Sequence, residues 1–199
     1  KPLPVDLPVE YYSRIAESVD LDLIIFQLHD VLGGVLYDDE HLIALGCIPG
    51  VVGMKEASFD ASRFLQTLQT LRKNDVSIKF LTGNDFFLYE SYVMGADGAL
   101  IGFGNLALAD QVQMFQLIQA KQYEEAIGIA SKLEPLIDVI FRPPLRDYRA
   151  RIKHALVQLG IIETALVRPP LPNITADEAL MVQEALRKGG YTIGAEVRV

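Results

Sequence analysis

The sequence predicts an α/β fold of parallel βα units with a helical part behind them. Two observations carry this. As far as Gly104, short β-like runs alternate with stretches of helical spacing, the mark of parallel βα units. From Leu106 onward the periodicity is helical only, so the boundary is placed between residues 1–105 and residues 106–199. Four parallel strands followed by appended helices make half of an eight-stranded barrel, a fold that takes about 250 residues. Either the start of such a barrel lies outside the 199 residues or the sheet is open.

Taking the elements in order, Tyr12, Ile15 and Ala16 give an amphipathic helix ahead of the run Leu21-Asp22-Leu23-Ile24-Ile25-Phe26-Gln27, whose branched and aromatic content suits a buried strand. Helical spacing returns over residues 38–45, followed by a second strand that ends at Lys55. Phe64, Leu65, Leu68 and Leu71 mark a helix after Asp60, and Val76-Ser77-Ile78-Lys79-Phe80-Leu81 reads as the third strand. Past the loop Thr82-Gly83-Asn84-Asp85, Asp85 is placed as the cap of a helix reaching Met94, and Gly98-Ala99-Leu100-Ile101-Gly102 as a fourth strand. In the second part, Val112, Phe115, Leu117 and Ile118 share a helix. A longer one runs through Ala126, Ile129, Leu133, Leu136 and Ile140 until Pro143-Pro144 stops it. Tyr148, Ile152, Ala155 and Leu159 mark a third, with Gly160 as a left-handed cap. Arg168-Pro169-Pro170-Leu171-Pro172 must be extended, and Thr175 with Glu178 forms a capping box opening a last helix that stops at Gly189-Gly190.

Composition narrows the function. A net charge of −8, from 26 acids against 18 bases, with no basic stripe, argues against a nucleic-acid surface. Cys47 is the only cysteine, which rules out an internal disulfide and a multi-cysteine metal site and points to the reducing cytoplasm. No apolar stretch approaches the roughly 18 residues of a membrane span, and the amino end lacks a signal peptide's apolar core, so no membrane partner is expected.

The strongest chemical candidate is Lys55, in Gly50-Val51-Val52-Gly53-Met54-Lys55-Glu56-Ala57-Ser58. With period two, Val51, Gly53 and Lys55 share one strand face and Val52 and Met54 the other, placing the amine at the strand's carboxyl end, where α/β enzymes keep their chemistry. Desolvation among apolar neighbours lowers a lysine's pKa and frees the amine to attack a carbonyl. The plainer reading is a strand-end lysine reaching for water.

Three motifs then stand in order: Gly53-Met54-Lys55-Glu56-Ala57-Ser58, Leu81-Thr82-Gly83-Asn84-Asp85, and Gly95-Ala96-Asp97-Gly98-Ala99-Leu100-Ile101-Gly102 with Asn105. Together they resemble the second half of the dihydrodipicolinate synthase and N-acetylneuraminate lyase family, over nearly the whole chain up to Tyr191. The resemblance implies a (β/α)8 TIM barrel with a helical carboxyl-terminal extension, of which this chain holds about the last four βα units. It implies a lysine, matched by Lys55, that forms a Schiff base with a 2-oxo acid such as pyruvate, without a cofactor or a metal. It also implies a homo-oligomer, dimer or tetramer. Gly83 and Ile101, with the adjoining Asn84 and Gly102, match positions lining the substrate pocket, although close packing of barrel layers explains Gly83 and Ile101 equally well.

The departures from the family pattern are informative. Phe26-Gln27 stands where relatives have a Tyr-Asn pair, and a phenyl ring cannot relay a proton. Asn84-Asp85 replaces an acidic pair. Leu28-His29-Asp30-Val31-Leu32-Gly33-Gly34 lacks the arginine with which synthases of lysine biosynthesis bind a carboxylate, which argues against that pathway. A Gly-Thr-Thr type segment of the first barrel half is also absent. Phe26 and Gln27 are retained as substrate-facing positions, and His29 and Tyr37 as replacement acid/base groups. His41 and His154 read as structural. The expected function is a Schiff-base lyase, an aldolase or dehydratase acting on a sugar-derived 2-oxo acid. The alternatives are a pyruvate-condensing synthase and a catalytically idle binding protein. The chain is expected to be a fragment whose first strand pairs with chain outside it or with a second copy.

Overall fold

A computed structural model describes residues 4–194. It divides into two compact units, one ending at Ile101 and the other beginning at Gly102.

The first unit is a parallel four-stranded sheet in the order β1-β2-β3-β4 with helices between the strands. Its elements are α1 (Asp6–Ser18), β1 (Leu23–Leu28), α2 (Asp39–Gly46), β2 (Val51–Ala57), α3 (Ala61–Lys73), β3 (Lys79–Thr82), α4 (Leu88–Met94) and β4 (Gly98–Ala99). Local signals set several ends. The Asp38 carboxylate accepts from His41 N–H at the start of α2, and the Asp60 carboxylate accepts from Ser62 N–H and Arg63 N–H at the start of α3. Asp85 does not cap α4: it opens a 3-10 turn, Asp85–Phe87, and α4 begins after Phe87 without a side-chain cap. β4 is two residues long, not five, and Gly102 falls in the 3-10 turn Gly102–Asn105 of the second unit.

Strand register assigns the side chains from Ile24 and Gly53 onward to a face. Ile24 pairs with Gly53, Phe26 with Lys55, Gln27 with Glu56, Lys55 with Leu81 and Glu56 with Thr82. Ile25, Gln27, Met54, Glu56, Phe80 and Thr82 are buried on the helix side. Phe64 of α3 meets Phe80 there at 4.9 Å between ring centroids, and burial of such a side chain contributes about 1.5–3 kcal/mol. The other face carries Ile24, Phe26, Gly53, Lys55 and Leu81. Ile24 is 49% and Phe26 41% exposed, so β1 is not the strand buried on both faces that its composition suggests. The register also skips Val52, which is exposed, so the simple alternation expected from Val51 to Lys55 breaks at that residue. Among the described residues β1 is an edge strand with β2 as its only strand partner.

The second unit contains α5 (Leu108–Gln119), α6 (Tyr123–Phe141), α7 (Tyr148–Gln158) and α8 (Ala176–Lys188). α5 buries Gln111, Met114 and Ile118 and leaves Val112 exposed, a face rotated from the one its apolar spacing suggests. Gly160 (φ +71°) takes the left-handed conformation after α7, and the Thr175–Glu178 capping box opens α8. Arg151, fully buried, donates to the Glu178 carboxylate at 2.8 and 3.0 Å and to the carbonyls of Ile140 and Arg142, tying α6, α7 and α8 together. No helix among the described residues is long and apolar enough to cross a membrane.

Candidate active site

Lys55 projects from the open face of the sheet, near the carboxyl end of β2, between Phe26 on β1 and Leu81 on β3. Its Nζ lies 4.2 Å from the centre of the Phe26 ring. Burial lowers the amine's pKa below its ordinary value, while the Asp85 carboxylate acts in the opposite direction. The result is an amine that is more readily neutral than a surface lysine, with an aromatic face and a carboxylate available to hold it when it is charged.

Gly83 walls the lysine's path. A Cβ there would lie 2.7 Å from Lys55 Cε, 2.7 Å from Ala57 Cβ and 3.0 Å from the Glu56 carbonyl oxygen. Only a residue without a side chain lets the lysine stem pass at this position.

The sheet separates the remaining candidates. Gln27, one residue from Phe26, points to the helix side and is fully buried. Its amide donates to Glu56 and to Thr67 of α3, and its oxygen accepts from Tyr37 N–H at 2.9 Å. Gln27 therefore does not share the Lys55 face, contrary to its reading as a substrate-facing residue. Asn84 is likewise fully buried, its amide spent on Glu56 and Thr82 and its oxygen on Phe59 N–H, which removes it from direct substrate contact. Tyr37 is buried beside Tyr12 and His41, and burial, followed by the interaction with Tyr12, pushes its phenol far above the ordinary range. A hydroxyl so placed, on the helix side, is not the acid/base group expected of it. His29 remains at the carboxyl end of β1, where its N–H donates to the Ala57 carbonyl. Its Nδ1 is engaged within its own loop, 3.1 Å from Val31 N and 2.9 Å from Asp30 Oδ1. Ile101 follows β4 and is half-buried.

Two residues on which sequence reasoning placed no function bear on the lysine, one through its charge and one from the opposite face of the sheet. Asp85, read as a helix cap, is the carboxylate that acts on Lys55. Glu56 is fully buried on the opposite face, bonded to Gln27, Ser58 N–H and Asn84. Strand parity alone puts Glu56 and Gln27 on the face away from Lys55, and that signal was legible. Among the described residues no three His, Cys, Asp or Glu side chains are grouped as metal ligands.

Comparison with known proteins bears on this arrangement. The sequence model of the dihydrodipicolinate synthetase family matches residues 6–189. The chain is 28% identical over 166 residues to 4-hydroxy-tetrahydrodipicolinate synthase 2 of Clostridium acetobutylicum, covering 83% of this chain and 56% of that protein. It is 29% identical over 183 residues to 4-hydroxy-tetrahydrodipicolinate synthase of Herminiimonas arsenicoxydans, covering 91% and 59%. It superposes with a TM-score of 0.81 on the chloride-inhibited dihydrodipicolinate synthase of Acinetobacter baumannii complexed with pyruvate, at 25% identity, covering 96% of this chain and 63% of that one. The chain thus spans a little over half the length of the curated relatives it matches.

Proposed function

The chain belongs to the dihydrodipicolinate synthetase family, and we propose that it supplies the imine-forming lysine of an enzyme acting on a 2-oxo acid. The observation that carries this reading is the desolvated Lys55 amine at the strand end, over the Phe26 ring and within the electrostatic influence of Asp85. The neutral amine attacks the C2 carbonyl, the carbinolamine loses water, and the resulting iminium draws electrons from C3. Loss of the C4 hydroxyl proton and cleavage of the C3–C4 bond release the C4 fragment as an aldehyde and leave the bonding pair as an enamine; protonation at C3 and hydrolysis then release the shortened 2-oxo acid and restore the lysine.

The lyase direction, an aldolase or dehydratase working on a sugar-derived 2-oxo acid, is supported by the absence of an arginine in residues 28–34 and by Phe26. The reverse, condensation of pyruvate with an aldehyde, is favoured by the synthases among the relatives. A catalytically idle, ligand-binding role is favoured by the register, which puts Phe26 and Leu81 on either side of Lys55 and so supplies no hydroxyl at that level. In each case the exposed side of Ile24 and Phe26 is covered in the working protein, by further strands of a longer polypeptide or by a second copy of the chain. Borohydride reduction in the presence of pyruvate tests the core of the proposal. One reduced adduct is expected on Lys55 and none in Lys55→Ala. Trapping on a different lysine, or none in the wild type, refutes it. Trapping without turnover of any aldol or dehydration substrate selects the idle role.

A further inference from the structure

Immediately behind the lysine, on the helix side of the sheet, is a polar network with a fixed polarity. Backbone donors set it. Tyr37 N–H donates to Gln27 Oε1 at 2.9 Å, and Phe59 N–H donates to Asn84 Oδ1 at 2.8 Å. With both oxygens so engaged, each amide must turn its NH₂ the other way. Both NH₂ groups meet Glu56: Gln27 Nε2 at 3.3 Å from Oε1 and Asn84 Nδ2 at 2.8 Å from Oε2, while Ser58 N–H donates to Oε1 at 2.9 Å. All three neighbours are donors, so position 56 requires a group that only accepts. A carboxylate meets that requirement; an amide of the same shape puts a donor against a donor.

The network reaches the lysine through Asn84. Its NH₂ also donates to the Glu56 backbone carbonyl at 3.0 Å, and Gly83 N–H donates to the same carbonyl at 2.6 Å. Residues 83–85 are thereby fastened to β2 at the level of Lys55. Gly83 is the wall against Lys55 Cε, and Asp85 is the carboxylate that acts on the amine.

We propose that Glu56 is a positioning residue for Lys55: its buried carboxylate orients the Asn84 amide and so holds Gly83 against the lysine side chain. This rests on the reading of Lys55 as the imine-forming lysine. Glu56 touches no substrate and acts only through residues 83–85. Loosening that segment admits water to the lysine stem, and because desolvation is the larger influence on the amine, its titration moves back towards that of an ordinary lysine.

The test is the pH dependence of pyruvate–borohydride trapping at Lys55 on the purified protein, read by mass, with folding followed by circular dichroism. Glu56→Gln should move the inflection to higher pH and slow trapping at neutral pH by roughly three- to tenfold, a tenfold loss corresponding to a shift of about one pH unit. Asn84→Ala, which removes the clamp without opposing two donors, should move the inflection the same way, and it decides the matter if Glu56→Gln does not fold. Thr67→Val removes an acceptor from the far side of Gln27 and should lower the melting temperature while leaving the inflection where it is. An inflection unmoved in folded Glu56→Gln, or unmoved in Asn84→Ala, overturns the proposal. No trapping in the wild type instead overturns the assignment of Lys55 on which it rests.

Discussion

Replacing Gly83 by alanine tests whether the lysine's reach is set by the wall behind it. The added methyl would lie 2.7 Å from both Lys55 Cε and Ala57 Cβ and 3.0 Å from the Glu56 carbonyl oxygen, all inside the 3.4 Å at which ordinary contact begins. Lys55 Cε belongs to a flexible stem and can swing aside. Ala57 Cβ and the Glu56 carbonyl cannot, because they are part of β2. Nor can the loop retreat freely, because Gly83 N–H is bonded to that same carbonyl at 2.6 Å. Forcing a methylene-sized group into such a place costs about 1–3 kcal/mol. For a protein of this size that lowers the melting temperature by about 2–12 °C. The swing also carries the amine away from the Phe26 ring, now 4.2 Å distant, and out of its desolvated position. Trapping of pyruvate at neutral pH should fall by about tenfold or more, since a misplaced reacting group is costly even when the fold survives. Melting by circular dichroism and adduct formation by mass spectrometry report the two effects separately. A Gly83→Ala protein that melts and traps like the wild type would show that the lysine does not pass where the geometry puts it.

The amine's titration gives a second prediction. Trapping should rise with pH through an inflection below the ordinary lysine value of 10.5, and Asp85→Asn, which removes the carboxylate that favours the ammonium form, should lower the inflection further; a rise in that variant would contradict the assigned role of Asp85. Tyr37→Phe should leave turnover within about twofold of wild type because its hydroxyl lies on the helix side, whereas His29→Ala should slow it by roughly 10²–10⁴-fold if the histidine moves a proton; steady-state rates of the two variants decide between them. In the helical unit, Arg151→Leu leaves Glu178 and two carbonyls without their buried donor and should destabilise by about 3–5 kcal/mol in denaturant melts, and a loss under about 1 kcal/mol would show that the guanidinium does not tie the helices.

Much of this was legible in the sequence because it depends on local rules. Period two placed Lys55 at a strand end and, read one residue further, puts Glu56 on the opposite face. The Thr175–Glu178 box and Gly160 follow from backbone groups that need partners within a few residues. What failed depends on distant partners. Tyr37 was free to point either way until Tyr12, 25 positions earlier, fixed it on the helix side. The family motif puts Asn84 beside Gly83 at the pocket; the Phe59 N–H and the Glu56 carboxylate, both remote in sequence, claim it instead. Asp85 read as a cap because a cap is the commonest use of an aspartate before a helix, and nothing local revealed the lysine across the strand.

The two faces also divide the energetics. On the helix side every polar group of the Glu56 network faces a complementary one, so burial there favours a single arrangement of the three strand ends. On the open side burial acts against the lysine. Its folded pKa lies below the unfolded 10.5, so at pH values below the folded pKa the charged amine is held where its charge is disfavoured, and the fold gives up stability. That cost shrinks as pH rises from the folded pKa towards 10.5. Lys55→Met should therefore be more stable than wild type at neutral pH, with the gap narrowing in alkali, while losing all trapping. A destabilised methionine variant at neutral pH would mean that the Phe26 ring and the Asp85 charge outweigh desolvation, and the lysine would then be held for its charge and not for its reactivity.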